Sequence, residues 1–110
     1  MENCIFCKII NNQIPCQKIK ETSEIIVIKD ISPKAPIHYL IIPKKHIQDL
    51  QSTADSDKNL LGDILLIAKH LSNDLSDPKS FRLICNNGES VGQSVMHLHF
   101  HFLAGKNLSE

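Results

Sequence analysis

Residues 97 to 102 alternate strictly between imidazole and apolar side chains, reading His-Leu-His-Phe-His-Phe. Because successive side chains of a β-strand point to opposite faces of a sheet, this alternation predicts a strand, which we place over Val95 to Leu103. One face turns Leu98, Phe100 and Phe102 towards a core, and the other presents three of the chain's six histidines. A histidine-rich solvated edge is the alternative, but a row of bases backed by packed apolar residues favours a functional site.

The rest of the chain predicts four further strands and two helices. A run of β-branched residues, Ile25 to Ile28, is typical of a strand, whereas Pro33 and Pro36 exclude regular structure from the loop that follows. The predicted strands are Cys16 to Glu21, Glu24 to Lys29, His38 to Ile42 and Phe81 to Cys85, and the helices are Cys4 to Ile10 and Ser56 or Asp57 to about Leu75. Strands interrupted by one long helix predict an α+β fold with a five-stranded, mostly antiparallel sheet, forming one domain over residues 1 to 110.

The long helix carries a broad apolar stripe that is expected to face the sheet. Its members are Leu60, Leu61, Ile64, Leu65, Ala68, Leu71 and Leu75. Leu66 falls outside the stripe, so it is expected to be exposed or to form a subunit contact.

Charge and hydropathy exclude two classes of partner. Twelve basic residues balance twelve acidic ones, so the chain lacks the basic excess that drives general binding to nucleic acids. No apolar run reaches the roughly 18 residues that span a bilayer, and the first residues do not resemble a signal peptide. A cytoplasmic protein with four reduced cysteines is therefore expected.

Two chemistries suit the histidine row. Two or three imidazoles can hold a catalytic metal, or one imidazole can attack phosphorus while its neighbours bind the phosphate oxygens. The preceding loop supplies Gly88 and Gly92 for tight turns with exposed N–H groups, and Asn86, Gln93 and Ser94 as polar donors. Plain turn chemistry would explain the loop alone, but beside the histidines it favours phosphate over metal.

Several motifs in order resemble the histidine triad (HIT) family, in its nucleotide-binding, phosphoramidase-like branch. They are the signature His97 to Leu103, the segments Asp30 to His38 and Ile42 to His46, and Gly92 to Val95. The resemblance covers nearly the whole chain. It implies a homodimer with one continuous sheet, and hydrolysis of a nucleoside monophosphate, such as an AMP or GMP derivative, linked to an amine or similar leaving group.

The same resemblance implies a role for each site residue. His99 would attack the α-phosphorus to give a nucleotidyl-histidine, while His101 would bond the phosphate and Ser94 would lie near the leaving group. The phosphate pocket would be lined by Asn86, Gly92 and Gln93, and the ribose hydroxyls would be bound by Asp30. The base would contact Phe6, Ile9 and Ile31, and the histidine row would be supported by His38. Asp30 as a turn-former, and Phe6 and Ile9 as core, are the plain alternatives.

The pair Cys4-x-x-Cys7 is a common metal half-site, although too few residues precede it for a thioredoxin-like motif and no zinc-finger histidine pair follows. Resemblance to some bacterial HIT proteins implies a structural zinc held by Cys4, Cys7, His46 and His97. The alternative is a pair of small buried apolar residues.

The chain also lacks the tryptophan-containing tail of many relatives. Substrate preference is therefore open between a phosphoramidate hydrolase, a dinucleoside polyphosphate hydrolase and a non-catalytic nucleotide-binding or scaffold protein.

Overall fold

A computed structural model describes residues 3–108 of the chain. The elements, in chain order, are α1 (Ile5–Ile10), β1 (Lys18–Glu21), β2 (Ile25–Lys29), β3 (Ile37–Pro43), α2 (Lys58–Ser72), β4 (Arg82–Ile84) and β5 (Phe100–Ala104). Short 3₁₀ turns occupy Leu50–Ser52, Asp55–Asp57 and Glu89–Val91. The predicted α+β class, with five strands, one short helix and one long helix, is confirmed.

The five strands form one antiparallel sheet in the order β1-β2-β3-β5-β4. β3 lies at its centre, and β1 and β4 form its edges. In the β3–β5 pair, Leu40 is opposite His101 and Ile41 is opposite Phe100. Since directly paired residues share a face, His101 points to the same side of the sheet as Leu40, and Phe100 points to the other side.

A helix covers each face of the sheet. α2 packs on the face that carries Ile25, Val27 and Phe102, while α1 packs on the face that carries Ile26 and Ile28. Both faces of β2 are therefore buried, which explains why its sequence is continuously apolar rather than alternating.

The buried stripe of α2 is narrower than the sequence predicted. Ile64, Ala68 and Leu71 are buried as expected, but Leu65 is 56% exposed and Ile67 is buried instead. Positions 64, 67, 68 and 71 follow the i, i+3, i+4, i+7 spacing of one helical face, from which position 65 is displaced by a full 100°. Leu66 is exposed, as expected, and Leu75 packs against the core from beyond the helix end.

The predicted start of the histidine strand was wrong. β5 begins at Phe100 rather than Val95, so His97 and His99 lie in the irregular segment before it. Continuing the register would place Leu98 opposite Pro43, which has no N–H to donate to the ladder. The N–H of Leu98 donates instead to the carbonyl of Ile47, at 2.6 Å.

No helix within residues 3–108 is long and apolar enough to cross a bilayer. All four cysteines are free thiols, as expected.

Candidate active site

Three imidazoles gather beneath α1 even though only one of them belongs to β5. The rings of His99 and His101 are 5.1 Å apart between centroids, and Phe6 of α1 packs its edge against His99 at 5.0 Å and His97 at 5.8 Å. His97 and His99 are buried, and His101 is partly exposed. The predicted row of bases is therefore present, formed by one strand residue and two residues of the approach to that strand.

The contacts of His99 determine which of its nitrogens is available. Its Nδ1 lies 2.7 Å from the carbonyl oxygen of His97. A carbonyl only accepts, so Nδ1 carries the proton and Nε2 keeps its lone pair. Burial lowers the pKa of His99, which keeps the ring neutral at pH 7. A neutral imidazole with a free Nε2 is the form required of a nucleophile.

His101 is oriented the opposite way by a chain of hydrogen bonds. The N–H of Lys34 donates to Nδ1 of His38 at 3.1 Å, so neutral His38 carries its proton on Nε2. That nitrogen lies 2.9 Å from Nδ1 of His101 and donates to it. The proton of His101 is consequently on Nε2, the nitrogen left for a ligand. The row thus offers a lone pair at His99 and a donor at His101.

Both rings of this hydrogen-bonded pair remain neutral at pH 7. Burial lowers the pKa of His38. Burial also lowers the pKa of His101 to about 4, assisted by repulsion from charge on His99 and His38. Donation by His101 therefore comes from a neutral N–H and not from an imidazolium.

Asp30 combines a turn role with a place beside the histidines. Its Oδ1 accepts the N–H of Ser32 at 2.7 Å, and its Oδ2 lies 3.4 Å from Nε2 of His38. Donor atoms of Asp30, His38 and His101 converge within 4.8 Å, as in a metal site. However, the Lys34 amide keeps a proton on the very nitrogen of His38 that would bind the metal. The arrangement favours a hydrogen-bonded chain over a catalytic metal.

The loop before the histidines differs from expectation, because four of its N–H groups, including those of both glycines, bond within the loop. The N–H of Gly88 donates to Oε1 of Gln93, the N–H of Gly92 to the carbonyl of Glu89, and the N–H of Gln93 to the carbonyl of Gly88. The amide of Gln93, which is 2% exposed, also donates to the carbonyls of Gln48 and Val95. Its side chain therefore fixes the loop and is not directed at an anion. Positive φ angles at Gly88 and Gly92 agree with the predicted tight turns.

The residues assigned to the base differ in exposure. Phe6 and Ile9 are buried in the α1-facing core, whereas Ile31 is 92% exposed. Asn86 is partly buried and Ser94 is exposed. Ser94 lines an open cleft of about 740 Å³, whose other walls are Asn3, Cys4, Ile5, His46, Gln48, Val95 and Met96. No aspartate, glutamate, lysine or arginine is among these eight residues.

The four residues implied as zinc ligands form one cluster. The Sγ atom of Cys4 lies 3.3 Å from Nδ1 of His97, and Sγ of Cys7 lies 3.3 Å from Nδ1 of His46 and 3.6 Å from Nδ1 of His97. Zinc bond lengths at a tetrahedral angle place S and N ligands about 3.6 Å apart. His97 donates from Nε2 to the carbonyl of Pro43 at 2.8 Å, which leaves Nδ1 unprotonated towards the sulfurs. The donor set and spacing fit zinc.

Burial and the neighbouring Cys4 thiol raise the pKa of Cys7 to about 11. A thiol with that pKa stays protonated at pH 7 unless a cation is bound, because metal coordination deprotonates the thiol. Cys7 therefore depends on a metal ion to form the thiolate that suits zinc.

Sequence reasoning missed two groups that orient the site, the N–H of Lys34 and the carbonyl of Pro43. For the second nitrogen of His99 it predicts a main-chain carbonyl as acceptor, but not that His97 supplies it. All are main-chain atoms, which no residue pattern reveals. It also missed Asn87, whose Oδ1 accepts the N–H of Leu50 at 2.8 Å and joins the loop to the segment after β3.

Comparison with known proteins gives consistent relatives. Residues 3–109 match the family described as "Scavenger mRNA decapping enzyme C-term binding". The chain is 44% identical to an uncharacterized HIT-like protein of Synechocystis, over 98% of this chain and 95% of the relative. It is similar to a HIT family hydrolase from Clostridium thermocellum (43% identity, TM-score 0.94, 100% and 96% of the two chains). It is also similar to a histidine triad nucleotide-binding protein from Candida albicans (35%, 0.79, 98% and 85%).

Proposed function

Because the chain belongs to the histidine triad (HIT) family, we propose that it is a nucleotide hydrolase acting through a nucleotidyl intermediate on His99. The observation that carries this proposal is the complementary protonation of two adjacent rings, with a free lone pair on His99 and an N–H donor on His101. The similar Clostridium and Candida proteins, a hydrolase and a nucleotide-binding protein, support the same class.

The proposed reaction has two displacements at phosphorus. Nε2 of His99 attacks the α-phosphorus of a nucleoside phosphoramidate, the P–N bond breaks, and the amine leaves with a proton taken from solvent. Water then attacks the same phosphorus and returns a proton to solvent, the bond to His99 breaks, and nucleoside monophosphate is released. Dividing one difficult step in this way is the benefit of covalent catalysis. The N–H of His101 would bond a phosphate oxygen as its charge develops, and Asp30 would accept the ribose hydroxyls.

Phosphoramidates, with AMP or GMP as the nucleotide, are the substrates that we place ahead of dinucleoside polyphosphates, because the motifs of the chain resemble the phosphoramidase-like branch of the family. The open cleft beside Ser94 does not discriminate between the two leaving groups, since neither His99 nor His101 lines it. Comparing the rates of hydrolysis of the two substrate types tests this order.

The wider proposal comprises a phosphate pocket, a structural zinc and a dimer. Asn86, with the main chain near Gly92 and Gln93, would line the phosphate pocket, and Ser94 would lie near the leaving group. The base would be approached by Phe6, Ile9 and Ile31. Zinc bound by Cys4, Cys7, His46 and His97 would stabilise the fold, with no part in bond breaking. Two copies would join their sheets across an edge. Four free thiols suit a reducing compartment, and we propose the cytoplasm.

Trapping the intermediate tests the mechanism. Rapid quenching during turnover of an adenosine phosphoramidate should add about 329 mass units, one adenylyl group, to the peptide that contains His99. H99G should abolish turnover and the adduct while AMP still binds. H70Q, which changes an exposed histidine of α2, is the control and should retain both.

Three outcomes would change the assignment. Unchanged turnover by H99G would refute the nucleophile. Faster hydrolysis of diadenosine polyphosphates than of phosphoramidates would favour the longer substrates. Binding of AMP without turnover of either substrate would indicate a non-catalytic nucleotide-binding protein.

A further inference from the structure

We propose that the Cys4–Cys7–His46–His97 cluster positions the nucleophile, with His97 transmitting the geometry of the cluster to His99. The inference rests on the proposed role of His99. It assigns to the cluster an effect on the rate of nucleotidyl transfer, beyond a contribution to stability. His97 is thus a positioning residue, and it touches no reacting atom.

A single residue makes both connections. The ring of His97 is held on both nitrogens, by the cysteines at Nδ1 and by the carbonyl of Pro43 at Nε2. The carbonyl of the same residue receives the Nδ1 proton of His99 at 2.7 Å. The direction of that carbonyl sets both the protonated nitrogen and the orientation of the His99 ring.

The sheet does not hold this part of the chain. β5 begins at Phe100, so the carbonyl of His97 is outside the strand ladder and accepts the His99 ring instead of a partner strand. The carbonyl of His97 shares a planar peptide group with the N–H of Leu98, which donates to the carbonyl of Ile47 at 2.6 Å. Ile47 directly follows the cluster residue His46, and the buried ring of His97 is itself anchored in the cluster. Both constraints on this carbonyl therefore lead back to the cluster.

A second connection between the cluster and His99 is made by α1. Cys4 is the N-cap of this helix, and its Sγ accepts the N–H of Cys7 at 3.3 Å. One turn of helix therefore contains both sulfurs and also Phe6, whose ring packs edge-on against His97 and His99. Release of the sulfurs would free the helix start and the aromatic wall of His99 together.

The orientation of His101 has a separate origin. It depends on His38 and the amide of Lys34, which make no contact with the cluster in the hydrogen bonds described for residues 3–108. Loss of metal should therefore disturb His99 selectively, leaving the His101 donor and the Asp30 carboxylate in place. The expected signature is slower transfer with nucleotide binding retained.

The experiment compares wild type, whose metal content is measured, with C7S. In C7S we expect loss of bound zinc, a 10- to 100-fold slower adenylylation of His99, typical of lost support to a site, and a change below about threefold in Kd for AMP. The ¹⁵N shifts of His99 should change from a single Nδ1–H tautomer to a mixture, which an indirect loss of stability would not produce. C16S, outside the cluster, should match wild type, and I64V controls for reduced stability.

Each result is decisive. Loss of zinc with unchanged His99 ¹⁵N shifts and unchanged adenylylation would overturn the inference, as would wild type that binds no zinc. If C7S does not fold, wild type stripped by a chelator below its Tm gives the same comparison. If wild type forms no adduct, the proposed function fails, yet the ¹⁵N comparison still tests the connection between His97 and His99.

Discussion

Acidification should destabilise the protein through His101 in a calculable way. Burial holds the pKa of His101 at about 4 in the folded chain, against an ordinary 6.5. The unfolded chain therefore binds a proton between these values that the folded chain refuses, so stability is complete above pH 6.5 and falls as the pH drops towards 4. Linkage over pH 7.5 to 5.0 gives a loss of about 2 kcal/mol, which solvent screening of this partly exposed ring reduces to about 1–2 kcal/mol.

Urea unfolding of wild type and H101Q at pH 7.5 and pH 5.0 measures the contribution of His101 to the free energy of unfolding. Wild type should lose about 1–2 kcal/mol more than H101Q over that interval. Any acid release of metal from the cluster is common to both proteins and cancels. Because His38 and His99 adjoin His101, the difference measures the three rings as one coupled unit. Stopping at pH 5.0 also avoids the titration of Asp57 and Glu21. Ion pairs with lysine lower the pKa values of these two carboxyls from 3.8 and 4.5. H70Q is the control and should follow wild type. Equal losses in wild type and H101Q would refute the burial argument.

Three further predictions concern stability, each measured by urea unfolding at pH 7.5. G62A should stabilise the folded protein by about 0.5–1 kcal/mol, because a Cβ at this position of α2 meets no atom within 4 Å. G105A should destabilise it by about 1–3 kcal/mol, because φ at Gly105 is +99° and the Cβ would lie 3.0 Å from a proline. Changes of the same sign in the two variants would contradict this reasoning. I64A should lose about 2–5 kcal/mol and L65A less than about 0.5 kcal/mol, so similar losses would disprove the revised stripe of α2. Q93E should lose about 1–3 kcal/mol because two carbonyls lose their donor, and a neutral effect would show that this amide does not fix the loop.

Local patterns predicted the elements well where one physical cause dominates. The β-branched run of β2 and the apolar spacing of α1 gave elements within one or two residues of those observed. The prediction of the buried stripe of α2 was less accurate. Leu65 and Ile67 are equally apolar, and only the angle at which the helix meets the sheet determines which of them is buried. The start of β5 depended on Pro43, distant in sequence, whose effect requires knowledge of the strand register.

The candidate site was predictable in its side chains and not in its proton positions. Alternation of histidines with apolar residues indicated the row, and Cys-x-x-Cys indicated half of a metal cluster. Which nitrogen of each ring carries a proton depends on carbonyl and N–H groups that approach from other segments. Gln93 shows the same dependence, since an amide that suits an anion is used to hold its own loop.

The amide of Lys34 has a consequence for how this site tolerates sequence change. Every amino acid except proline supplies the same main-chain donor, so the side chain at position 34 can vary without changing which nitrogen of His38, and hence of His101, carries the proton. Introduction of proline there should move the proton to the other nitrogen of each ring, even though no side chain of the histidine row would have been altered.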